Sequence, residues 1–137
     1  MVSDTQRLNR RLRDVKVDID AVLQSVNPVV RDIVNQLRQL VKTALPEARE
    51  RPYPFFEKQV ISYYYVPNDT YICFISFLDD EVRFAFEHGD KLGHPDLCDT
   101  GTFVRFLRLY QPSDINPEVL LDLLKANDEI VRTNPMS

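Results

Sequence analysis

Cysteine and glycine are scarce in this chain of 137 residues, and it has no long apolar run. Two cysteines, Cys73 and Cys98, make no disulfide framework. The most apolar stretch, Tyr71 to Leu78, is broken by Ser76 and falls well short of the ~20 residues that a membrane-spanning helix needs. No apolar stretch follows a basic one at the start, so a secretory signal is not expected. The phosphate-binding P-loop, the Gly-x-Ser-x-Gly elbow, the His-Glu-x-x-His zinc motif and the dinucleotide fingerprint are all missing. Nothing therefore argues for catalysis, and the expectation leans away from an enzyme. A net charge of -4 and a pI near 5.1 argue against nucleic acid and membrane surfaces as partners. The expected location is the cytoplasm, where both thiols stay reduced. The alternative is a mitochondrial transit segment carrying Arg7, Arg10, Arg11, Arg13 and Lys16, a pattern that Asp4 and Asp14 interrupt.

With 44% hydrophobic and 28% charged residues, the composition suits one globular domain rather than a disordered chain. Charge is unevenly spread. Residues 1–16 hold five basic against two acidic groups, a net of +3; residues 79–99 hold seven acids against Arg83 and Lys91, a net of -5. A basic head and an acidic middle could attract each other within or between chains.

Periodicity divides the chain into elements. Ser3 and Gln6 fit a capping box, and Leu8, Leu12, Val15, Ile19, Val22 and Val26 form a narrow helical seam. Asp18-Ile19-Asp20 could also stop one helix and cap the next, so residues 3–26 read as one helix or two. Asn27 caps and Pro28 opens a second helix, with Val30, Ile33, Val34, Leu37, Leu40, Val41 and Ala44 on its apolar face and Pro46 at its end. Pro52 and Pro54 then read as a rigid connection. From Lys58 to Tyr110 the period becomes two. Strands are expected over 59–66, 70–78, 81–87 and 103–110, the first three in an antiparallel meander. A last helix, capped by Asn116, runs from Pro117 to about Arg132. This order predicts an α+β fold: an antiparallel sheet of about four to five strands packed against N-terminal helices and a C-terminal helix.

Chemistry-bearing residues concentrate between the third and fourth expected strands. All three glycines, Gly89, Gly93 and Gly101, lie there with His88, Asp90, His94, Asp96, Cys98 and Asp99. Imidazole, thiolate and carboxylate together suit a borderline divalent metal, so His88, Asp90, His94, Asp96 and Cys98 form the candidate metal set. Their spacing matches no standard zinc motif, and a solvated loop whose glycines serve turns is the plainer reading. Asp79-Asp80-Glu81 offers hard oxygen ligands but equally suits a hairpin turn. Cys73, inside an apolar run, reads as an inert core thiol. Tyr63, Tyr64 and Tyr65, with Tyr53, Phe55 and Phe56 before them, read mainly as packing. They also leave open a tyrosine-rich sheet face that contacts a small molecule or a protein.

The stretches Val82-Arg83-Phe84-Ala85-Phe86-Glu87-His88-Gly89, Leu92-Gly93-His94-Pro95-Asp96 and Gly101-Thr102-Phe103-Val104-Arg105 resemble the YdhG-like family, a bacterial family of unknown function. Ser113-Asp114-Ile115, the helix with Leu120, Leu124 and Ala126, and the upstream Asp18-Ile19-Asp20 and Leu45-Pro46-Glu47 fit as well. The chain departs from the family pattern at Tyr53-Pro54, which lacks a glycine, and at Thr102, where a lysine is common. The resemblance implies an α+β fold over residues 18–137, with 1–17 as a basic helical extension. It further implies frataxin-like weak binding and delivery of Fe(II), with iron–sulfur or haem assembly proteins as partners. Two other readings stand beside it. One is an interaction module that forms a homo-oligomer through the N-terminal helix; the other is small-molecule binding on the tyrosine-rich face.

Overall fold

The computed structural model describes residues 17–55 and 58–133. The expected helix over residues 3–16, its seam positions Leu8, Leu12 and Val15, and Phe56 lie outside the described residues.

The elements are α1 (Ile19–Ser25), α2 (Pro28–Ala44), β1 (Arg49–Phe55), β2 (Lys58–Tyr65), β3 (Thr70–Phe77), β4 (Val82–Phe86), β5 (Cys98–Asp99), β6 (Arg105–Leu109) and α3 (Pro117–Thr133). Single 3-10 turns cover Gly89–Lys91 and Pro112–Asp114. Every pairing is antiparallel, and the strand order is β1-β2-β3-β4-β6-β5. The molecule is an α+β protein with a six-stranded sheet, rather than the four to five strands expected. Among the described residues no helix is long and apolar enough to cross a membrane.

Local chemistry explains the helix ends. Asp18 accepts the Ala21 N–H at 3.2 Å, so a helix does begin at Ile19. Asn27 accepts the Val29 N–H at 2.8 Å ahead of Pro28, as its residue type predicts. Ile19 and Leu23 are buried in the protein's own core, with Val22 and Val26 packed on it. The described part of the seam is thus spent inside the molecule.

The two extra strands have separate causes. β1 contains Pro52 and Pro54, which argue against a central strand; at the edge of a sheet, alternate N–H groups point away from the ladder and proline costs nothing there. Glu50 fixes that edge. It takes two hydrogen bonds from Arg38 of α2, at 2.9 and 3.1 Å, and one from the Tyr63 hydroxyl at 2.6 Å. Burial alone would raise the Glu50 pKa; the bonds from Arg38 and Tyr63 outweigh it and hold the carboxyl below its ordinary value. β5 is only two residues long and pairs with β6 from within the long loop.

The core lies between one sheet face and the helices. Ile33, Val34, Leu37 and Val41 of α2, and Leu120, Leu124 and Val131 of α3, meet Ile61, Ile75, Phe84 and Phe86. Between Tyr63 and Tyr64 the register slips, so that Ile72 of β3 has no opposite number. The buried Asn127 of α3 resolves this bulge. Its amide donates to the Ile72 carbonyl at 2.8 Å, and its oxygen accepts the His88 N–H at 2.8 Å.

Candidate functional site

The loop leaving β4 is anchored by a contact that only glycine permits. A Cβ on Gly89 would stand 2.3 Å from the Cβ of Arg105 and 2.7 Å from its nitrogen. That approach ties the 3-10 turn to the start of β6, and the chain then runs out through His94 to Cys98. Gly93 and Gly101 meet the other expectation, having positive φ values of 68° and 81°.

Beyond this anchor the loop, the last residues of β6, the Pro112–Asp114 turn and the first turn of α3 border an open cleft of about 420 Å³. Leu107, Leu109, Val119 and Leu120 give it apolar walls; His94, Asp96, Cys98, Arg108, Tyr110, Asp114 and Asn116 add polar groups. Its size falls within the ~300–1,000 Å³ of small-molecule sites. The Asp96 peptide organises one side. Its N–H donates to His94 Nδ1 at 3.2 Å and its carbonyl accepts the Cys98 thiol at 3.9 Å. On the other side Asp114 Oδ2 accepts the N–H groups of Tyr110 and Gln111, at 2.8 and 3.1 Å, closing the turn into α3.

The expected metal set is divided. His94, Asp96 and Cys98 line the cleft, whereas His88 is buried, stacks on Phe103 at 6.1 Å and has its pKa lowered by burial, with Lys91 adding to the effect. Asp90 is exposed beside it on the 3-10 turn. Among the described residues no three His, Cys, Asp or Glu side chains form a group that could hold a metal ion. The acidic hairpin also separates: Glu81 bridges Arg83 at 2.9 Å and Arg108 at 3.2 Å, while Asp79 and Asp80 stay exposed.

The three tyrosines do not share a face. Tyr63 and Tyr65 turn toward the helices, where their hydroxyls reach Glu50 and Asp128. Burial and the Asp128 hydrogen bond push the Tyr65 pKa up to about 12. Tyr64 points the other way and lies buried beneath the Arg51 guanidinium, which sits 4.2 Å from its ring centre. Phe106, on that same far side, is covered by Arg83 and Arg108. Sequence reasoning overlooked Tyr110, Asp114, Asn116 and Val119 as site residues. The available signal was the pair of turn-and-cap segments, Gln111 to Asp114 and Asn116-Pro117, which fold the chain back over the end of the sheet.

Compared with family models, curated proteins and solved structures, the chain matches none.

Proposed function

We propose that this is a small-molecule-binding protein whose site is the cleft between the His94–Cys98 loop, β6 and the start of α3. One observation carries the reading: a concave space of about 420 Å³ joins four apolar side chains to polar groups from three separate segments. The apolar walls supply affinity through surface removed from water, and the polar groups orient what lies on them. The Cys98 thiol and His94 Nδ1 are each engaged by the Asp96 backbone, and the reading is one of binding.

The test is a titration of isotope-labelled full-length protein with a library of small fragments, read by backbone amide NMR. Hits are expected to shift the amides of residues 94–98, 107–110 and 116–120 together. Hits that map elsewhere, or a library that moves none of these amides at millimolar concentration, would overturn the reading.

A further inference from the structure

We infer that the cleft takes a small organic amine, its apolar body on Leu107, Leu109, Val119 and Leu120 and its protonated nitrogen at the carboxylate of Asp96. The inference rests on the cleft being the ligand site and adds the class of ligand.

Charge at the border of the cleft selects the class of ligand. Two carboxylates, Asp96 and Asp114, border the cleft. Asp114 is engaged by two backbone N–H groups and holds the turn. The Asp96 side chain has no hydrogen bond or ion pair with any described residue; only its backbone is used, toward His94 and Cys98. Among the described residues, the guanidinium that borders the cleft is that of Arg108, held by Glu81 at 3.2 Å and lying over the Phe106 ring at 5.5 Å. In the strand, Arg108 alternates with Leu107 and Leu109 and so projects from the opposite face. His94 Nδ1 accepts the Asp96 N–H. Among the described residues an anion in the cleft would thus meet two carboxylates, whereas an ammonium would meet in Asp96 a carboxylate with no described partner. The ring of Tyr110, 56% exposed at the border, adds a π face suited to a cation.

A matched series tests this in the intact chain: phenethylamine, 3-phenylpropionate and 3-phenylpropanol, similar in shape and differing in the end group. Each is titrated into labelled wild-type protein and into Asp96→Asn, a change at an exposed side chain. The expected result is that the amine moves the cleft amides at the lowest concentration, and that Asp96→Asn weakens it about two- to fivefold, the scale of a solvent-accessible ion pair, leaving the alcohol unchanged. If the acid or the alcohol binds in the cleft as tightly as the amine, or if Asp96→Asn leaves the amine unaffected, the assignment of ligand class is overturned and the cleft stands as a site. If none of the three moves the cleft amides while other fragments do, the ligand class alone is overturned; if the library moves none of them either, both readings fail.

Discussion

A methyl group added at Gly89 has nowhere to go. The atoms it would meet, the Cβ, nitrogen and Cα of Arg105 within 2.9 Å, include strand backbone that cannot swing aside. Gly89→Ala is therefore expected to lower stability by about 1–3 kcal/mol, the usual cost of forcing extra volume into a packed site; urea denaturation measures it, and a change within ~0.5 kcal/mol would contradict the account. Glu87, two residues earlier, makes a different prediction. Burial raises its pKa from an ordinary 4.5 to about 7, because the half-buried site disfavours the charged carboxylate. The folded protein thus retains a proton that the unfolded chain releases between those values, and stability falls as pH rises through this window. Glu87→Gln should remove that fall. The variant is expected to match wild type below pH 4.5 and to exceed it by about 1–2 kcal/mol above pH 7, after allowance for solvent screening of a partly exposed group. Parallel denaturant titrations at the two pH values test the sign, and a variant less stable than wild type at high pH would refute it.

Elements with a strong repeat were legible without coordinates, and those without one were not. The apolar face of α2 recurs at helical spacing, and the β4 residues Val82, Phe84 and Phe86 alternate; burial preserves both patterns. β1 was hidden by its prolines, which exclude a central strand yet suit an edge, and which position a strand takes depends on the rest of the sheet. β5, at two residues, has no period to detect. The β3 bulge was equally silent, because it appears only when β2 and β3 are placed in register. Its remedy, Asn127, lies among the buried leucines and valine of α3, and nothing in its spacing sets it apart from them. Asn127→Ala is expected to cost about 1–3 kcal/mol, since it removes the acceptor of the buried His88 N–H and one of two hydrogen bonds to the Ile72 carbonyl, which keeps the one from the Glu87 N–H. Asn127→Leu should not recover the loss despite refilling the volume. Thermal or urea unfolding decides this, and full recovery by leucine would mean that volume rather than hydrogen bonding is what the site needs.

At the scale of the molecule, α2 and α3 pack on one sheet face with α1 against α2, and the loop between β4 and β6 builds an edge of its own at one side. The cleft lies where that loop faces the start of α3. His94, Asp96 and Cys98 were recognisable as chemistry-bearing residues of a long loop. Their separation from His88, and their meeting with Leu107, Leu109 and Val119, follow from β5 pairing with β6 and from α3 returning over the sheet end. No spacing rule along the chain encodes that meeting.

The two thiols give a direct probe of the cleft. Cys73 is fully buried and its pKa is pushed up by that burial, whereas Cys98 is half-buried at the cleft wall. The decisive measurement is the rate of Cys98 alkylation in native protein, followed by peptide mass spectrometry, with and without a saturating amount of the fragment that most strongly shifts the cleft amides. The account predicts that Cys98 is modified while Cys73 is spared, and that the fragment slows Cys98 severalfold. An unchanged rate at saturation would place the fragment outside the cleft and contradict the claim that this is where the protein binds its ligand.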